Sequence, residues 1–317
     1  MDINNINWYP GHMTKTRRMM EENISLVDVV IELLDARIPY SSKNPDIDAL
    51  AKNKRRVVVL NKSDLADAAS TEIWSGYFKE QGFEVILADA VKGKGVKNAA
   101  DAAMDLMAEK IARLKAKGRL FVPVRAMIVG IPNVGKSTFI NKYVGKSTAK
   151  TGDKPGVTRG KQWIKIKKGF ELLDTPGILW PKFEDREVGL KLAFTGAIND
   201  DILDAETMAL ELIKYIMRFN PEAIAQRYKI ELKPDEEAHD IFTDIGRARG
   251  FAAKGGGIDT LRTAKIFIDE FRAGKLGRIT LELPHDIKAM EEEAKKRDEE
   301  KIMRDLERKR EYRRKNG

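Results

Sequence analysis

Two sequence elements stand in an order that dictates the topology. Gly130-Ile131-Pro132-Asn133-Val134-Gly135-Lys136-Ser137 has the form Gly-x-x-x-x-Gly-Lys-Ser, between an apolar run at 126–129 and a helical stretch at 136–144. Strand, tight loop and helix in succession are the setting that a phosphate-binding loop requires. About 70 residues earlier, Asn61-Lys62-Ser63-Asp64 closes the apolar run 57–60, and Asp174-Thr175-Pro176-Gly177 closes another at 171–173. Ordinarily the glycine-rich loop comes first and Asn-Lys-x-Asp comes late. Here the chain enters the same pocket at a different point, as a circular permutation would. Whatever follows Asp174–Gly177 is then tied directly to the part that senses a terminal phosphate.

A chain of 317 residues buries a substantial core and divides into two folded domains. Short apolar runs at 27–34, 57–60, 85–87, 126–129, 163–166 and 171–173 alternate with helical stretches at 14–23, 71–81, 96–117 and 136–144. β-Branched residues and short lengths predict buried strands, hence an α/β domain over 1–184: a mostly parallel sheet with helices on both faces. Beyond Pro181 the strand signal disappears. Segments near 187–197, 205–219, 221–228, 236–249 and 259–273 read as helices, giving an all-α domain over 185–283 and a charged tail over 284–317. No run of 18 apolar residues exists, which argues against a transmembrane helix, and the first residues lack the pattern of a secretory signal. The absence of cysteine excludes disulfides and thiolate metal sites and fits a reducing, cytoplasmic location.

Each motif residue has a chemical task. The backbone of Asn133, Val134, Gly135, Lys136, Ser137 and Thr138, at a helix N-terminus, cradles phosphates, and the Lys136 ammonium bridges the β and γ oxygens. The Ser137 hydroxyl is the natural Mg²⁺ ligand. Asp174 is expected to hold the same ion, and the Gly177 amide to reach the γ-phosphate. Thr158, in a loop over 146–160, completes that shell when GTP is bound. The Asp64 carboxylate accepts from N1–H and the 2-amino group of guanine, a donor pair that adenine lacks. The Lys62 stem lies over the base, and Asn61 braces the loop. Ala88-Asp89-Ala90 offers backbone amides to the guanine oxygen. Each element alone also reads as an ordinary turn; together, on strand ends of one α/β unit, they read as a GTP/GDP pocket. In GTPases that use potassium, an Asn at the place of Asn133 helps coordinate K⁺; a plain turn residue after Pro132 is the alternative.

The permuted order, together with Trp8-Tyr9-Pro10-Gly11-His12-Met13, Leu34-Asp35-Ala36-Arg37-Ile38-Pro39, Gly130–Ser137 and Lys154-Pro155-Gly156-Val157-Thr158, resembles the circularly permuted GTPases of the YlqF/RbgA family. The resemblance covers nearly the whole chain. It implies a cytosolic factor in late assembly of the large ribosomal subunit, with GTP hydrolysis triggered by that particle. Many GTPases place a water-orienting Gln directly after the Asp-x-x-Gly element; here the residue is Ile178, which cannot polarise water. The resemblance assigns that role to His12, whose imidazole suits it near neutral pH.

Between Gly246 and Arg278 the basic residues Arg247, Arg249, Lys254, Arg262, Lys265, Arg272, Lys275 and Arg278 outnumber three acidic ones, a local charge of +5 within a chain of net charge +9. Together with the resemblance, this clustering points to ribosomal RNA held through its phosphates. The tail has no apolar anchoring face and no lipidation motif, so no membrane partner is expected, and the protein is expected to be a monomer. A GTP-dependent RNA scaffold whose hydrolysis is incidental is the alternative.

Overall fold

The computed structural model describes residues 18–145, 162–175, 186–199, 204–233, 235–253 and 256–287. The chain forms two compact units, residues 1–281 and 282–317. Of the second unit only 282–287 is described, and it contains one helical turn.

The first unit is built on a six-stranded sheet: β1 (Val29–Asp35), β2 (Arg55–Asn61), β3 (Glu84–Leu87), β4 (Val124–Val129), β5 (Gln162–Lys167) and β6 (Phe170–Asp174). Their order across the sheet is β3-β2-β1-β4-β6-β5. All neighbours run parallel except β5 and β6, an antiparallel hairpin whose turn uses Gly169 at a φ of +86°. The helices among these strands are α1 (Pro45–Leu50), α2 (Ala68–Glu80), α3 (Val96–Asp105), α4 (Ala108–Ala116) and α5 (Lys136–Val144). β1 is buried along its whole length, as a central parallel strand must be. Its one mid-strand charge, Glu32, meets Arg56 of β2 at 3.1 Å. Burial nonetheless holds the Glu32 carboxyl above its ordinary value, with Arg56 and Lys43 opposing it.

Among the described residues the helices α6 (Arg186–Phe194), α7 (Ala205–Phe219), α8 (Glu222–Tyr228), α9 (Ala238–Ala248) and α10 (Thr260–Arg272) follow. In α7, Met208, Ala209, Leu212, Ile213 and Ile216 are buried, a stripe at helical spacing that faces inward. Thr263, Ala264, Phe267, Ile268 and Phe271 do the same for α10. Asp204 and Asp259 cap these two helices, accepting from the amides of Thr207 and Arg262.

Several expected boundaries move. The stretch 96–117 breaks into α3 and α4 at Leu106-Met107. The short α1 is additional to the expected elements; Asn44 caps it, accepting from the Asp46 amide over 2.9 Å, and Pro45 takes the first turn. Of the expected helix at 14–23 only 18–23 lies among the described residues, where it is helical, and residues 288–317 lie outside them. Among the described residues no helix is long and apolar enough to cross a membrane.

Candidate nucleotide site

Parallel strands place all their C-terminal ends on one edge, and the sheet order puts a topological switch point there. From β1 the chain steps outward to β2 and β3, then returns to the opposite side of β1 as β4. Loops that diverge at such a point leave a crevice above the strand ends, where ligands of open α/β sheets bind. The register sets Asp35 beside Asn61, and Ile128 beside Asp174. Three motifs far apart in the chain therefore emerge on one edge.

Asn61, only 1% exposed, ties them together. Its Nδ2 donates to Val134 O of the glycine-rich loop over 2.7 Å, and its Oδ1 accepts from the Ala90 amide over 3.1 Å. Gly135 is needed at this junction. Its φ is +102°, and a Cβ there would stand 2.5 Å from Asn61 Nδ2. A Cβ on Gly130 would come within 2.6 Å of Leu33 O. Asn133 and Lys62 occupy the left-handed region, with φ of 55° and 59°.

The buried Lys136 turns its ammonium onto the carbonyls of its own loop, Gly130 O at 2.9 Å and Ile131 O at 2.8 Å. These contacts hold the cation over the loop concavity, where an anion would compete for it. Ser137 and Thr138, both half-buried, stand in the first turn of α5. Thr175, directly after β6, donates Oγ1 to Ile128 O over 2.7 Å. Asn133 donates Nδ2 to Gly196 O over 2.7 Å, so the loop is bonded to the turn that follows α6.

In the Asn-Lys-x-Asp element Asp64 is half-buried, with Lys92 Nζ at 3.9 Å. The Ala88–Ala90 amides have partners inside the protein. Ala88 N donates to Leu60 O, Asp89 N to Lys94 O and Ala90 N to Asn61 Oδ1, so all three are engaged inside the protein. Asp89 is buried and accepts from the Lys92 amide over 3.0 Å. Asp89 and Ala90 thus brace the loop in this arrangement, because the turn after β3 needs those donors for its own closure.

Asp35 carries a contact that motif reading did not assign. Its buried carboxylate meets the Lys62 ammonium at 2.9 Å and takes two bonds from Arg37, from Nε to Oδ1 at 2.9 Å and from Nη2 to Oδ2 at 2.7 Å. Burial would raise this carboxyl, but Arg37 and then Lys62 outweigh it and hold it well below the usual carboxylate range. An Asp-x-Arg pair directly at the end of a buried strand was the available signal.

Other expected site residues are placed unevenly. His12, Thr158, Gly177 and Lys254 lie outside the described residues, as does the side chain of Asp174. Arg247, Arg262, Lys265, Lys275 and Arg278 are exposed. Arg249 and Arg272 turn inward: Arg249 pairs with the buried Glu270, while Arg272 donates to Phe194 O at 3.0 Å and Ala193 O at 2.7 Å. Those two guanidinium groups were expected on an RNA surface; their shortest partners are internal, because helix ends and a buried carboxylate need donors.

A family model described as 50S ribosome-binding GTPase matches residues 125–231. The ribosome biogenesis GTPase A of Bacillus cereus is 49% identical over 294 residues, 93% of this chain and 99% of that protein. The GDP-bound structure of TM YlqF is similar with a TM-score of 0.60 and 29% identity, over 84% of this chain and all of that one. GNP-bound YlqF from T. maritima is similar with a TM-score of 0.58 and 30% identity, over 85% and 98%. Nearly half its residues are shared along almost the full length of such a relative, and the reversed motifs meet on one sheet edge. The chain therefore belongs to the ribosome biogenesis GTPase A family of circularly permuted GTPases.

Proposed function

We propose that this GTPase binds the maturing large ribosomal subunit through ribosomal RNA and leaves it when GTP is hydrolysed. The observation that carries the nucleotide half is the Asn61 bridge, which bonds the Asn-Lys-x-Asp element to the phosphate loop. The description of the matching family model, a 50S ribosome-binding GTPase, supports the partner.

Asp64 reads guanine and Lys62 covers the base. Lys136 exchanges the carbonyls of Gly130 and Ile131 for phosphate oxygens, replacing neutral acceptors with charged ones. The oxygen donors Ser137, Thr158 and Asp174 suit Mg²⁺, which would supply charge neutralisation at the β and γ oxygens. The half-buried Ser137 stands in the first turn of α5, which follows β4, and β4 pairs with the strand that ends in Asp174, an order that fits that assignment. Asn133 is proposed for K⁺, with its side-chain amide as the ligand. His12 orients the attacking water in place of the residue that Ile178 cannot be.

Residues 185–283 form the proposed RNA-binding domain, with Arg247, Arg262, Lys265 and Lys275 as its exposed cations; Lys254 is proposed as a further contact. Arg249 and Arg272, held by Glu270 and by the carbonyls of Ala193 and Phe194, belong to the same basic stretch. The protein works in the cytoplasm as a monomer. GTP orders the segments around Thr158 and Asp174–Gly177, and the helical domain, continuous with the latter, takes its RNA-gripping position.

The test is GTP turnover with and without purified large ribosomal subunits, in K⁺ and in Na⁺ buffer, with ATP as control. Stimulation for GTP alone, greater in K⁺ and lost in His12→Ala with GTP affinity kept, is the expected result. Turnover that the subunit leaves unchanged would remove the ribosome from the reading while keeping the GTPase.

A further inference from the structure

The turn that carries Asp64 is held from outside the nucleotide pocket. Arg278 donates Nε to Ala66 O over 2.8 Å and a terminal nitrogen to Ser63 O over 3.0 Å. The Ile279 amide donates to Leu65 O over 3.0 Å, and Thr280 Oγ1 accepts from the Asp67 amide over 3.1 Å. Three carbonyls flanking Asp64 are thus taken by two consecutive residues. The Leu65 side chain packs onto Gly274, where a Cβ would meet it at 2.6 Å. On the other flank, Lys62 is held by Asp35 and Asp35 by Arg37. The Arg37 guanidinium in turn donates to Arg272 O over 3.4 Å, and the Arg37 carbonyl accepts from the Leu281 amide over 2.9 Å. Both flanks of Asp64 therefore end on one stretch, residues 272–281, which continues α10.

Within the turn Leu65 N donates to Lys62 O, and Ser63 N donates out of it to Ala88 O. Asp64 is half-buried, and its nearest cation among the described residues is Lys92 at 3.9 Å, too long for a hydrogen bond. The direction of its carboxylate is therefore set by the main chain of Ser63–Ala66. Two parallel N–H···O bonds to guanine tolerate little angular error.

We propose that Arg278 is a positioning residue for guanine recognition, aligning the Asp64 carboxylate with N1–H and the 2-amino group by holding the Ser63 and Ala66 carbonyls. The proposal rests on the guanine reading of Asn61–Asp64. It also gives Arg278 a task distinct from the RNA contact suggested by its charge. Arg278 is exposed, so water replaces its bonds when it is removed and the fold survives. What is lost is alignment.

The experiment compares equilibrium binding of GDP and IDP, whose hypoxanthine base lacks the 2-amino group, for the parent, Arg278→Ala and Arg278→Lys, with melting temperature measured alongside. The parent should prefer GDP. In Arg278→Ala, GDP affinity should fall about tenfold and IDP affinity less, contracting the GDP/IDP ratio. Arg278→Lys, with one reachable carbonyl, should lie between. A merely structural role would weaken both nucleotides equally, so an unchanged ratio in Arg278→Ala overturns the proposal. A parent that binds GDP and IDP alike sinks the Asp64 reading and the proposal with it.

Discussion

Asn61 and Val134 are 73 residues apart in sequence, yet the Asn61 amide donates to the Val134 carbonyl over 2.7 Å inside the protein. This bond joins the Asn-Lys-x-Asp element to the glycine-rich loop, and it is indifferent to which of the two comes first in the chain. Strand order, not chain order, builds the pocket: β2 and β4 flank β1, so their terminal loops converge whichever is translated earlier. Permutation changes what is attached to the pocket, not how the pocket is made.

Removal of the Asn61 side chain should therefore damage both halves at once. Asn61→Ala leaves the Val134 carbonyl and the Ala90 amide without a side-chain partner at a buried site, a cost of about 2 kcal/mol. Denaturant unfolding and GDP titration are the measurements. Parental stability together with parental affinity would show that the bridge does not matter.

Two glycines of positive φ should behave differently when substituted. Gly145, at the end of α5, has a φ of +70°, and nothing lies within 4 Å of the place a Cβ would take, so Gly145→Ala incurs only backbone strain, about 1 kcal/mol. Gly135→Ala adds a contact of 2.5 Å with Asn61 Nδ2 and must push the two loops apart. Calorimetry and nucleotide titration should find Gly145→Ala binding normally and Gly135→Ala losing nucleotide affinity at least tenfold, roughly 1.4 kcal/mol. Equal effects of the two would refute the steric argument.

The parallel α/β domain was legible because buried strands such as 57–60 and 126–129 carry apolar β-branched runs that end in recognisable loops. The motifs stand out because phosphate and guanine chemistry permits few residue types at fixed spacing, and strand register brings three of them to one sheet edge. What the sequence hid was contact across long separations. Nothing local to Arg278 says that its guanidinium closes on Ser63 and Ala66, or local to Arg272 that it caps the end of α6. A charge count treats such residues as surface, whereas carbonyls at loop and helix ends compete for them. The break of 96–117 into α3 and α4 was likewise hidden, since Leu106 and Met107 are both good helix formers.

Asp35 should show its role through pH. Its carboxyl is held well below the usual range, so folding lowers its pKa. Such a group stabilises the fold above its unfolded value of about 3.9, and the contribution is lost as pH falls through that value towards the folded one. Asp35→Asn leaves Arg37 and Lys62 facing a neutral amide, a cost of about 4 kcal/mol at neutral pH. Urea unfolding should give a constant gap between parent and variant from about pH 6 upward and a shrinking gap below about pH 4. A gap independent of pH down to the acid transition would mean that the carboxylate charge is not what holds this corner.

Glu270 of α10 gathers the helices that follow the sheet. It accepts from Arg227 at 3.1 and 2.6 Å, pairs with Arg249 after α9, and accepts the Tyr228 hydroxyl over 2.8 Å. Burial pushes the Tyr228 phenol up to about 12. An acid whose pKa rises on folding contributes stability that is complete below its unfolded value, about 10, and lost as pH rises through the folded one. Tyr228→Phe should then cost about 1 kcal/mol near neutral pH, the worth of one hydrogen bond to a charged acceptor partly offset by the retained ring. Alkaline titration followed by phenolate absorbance should show a tyrosine ionising near pH 12 in the parent, and Tyr228→Phe should lack that step. A parent whose tyrosines all ionise together near pH 10 would mean that this hydroxyl is open to water and that Glu270 is held by its arginines alone.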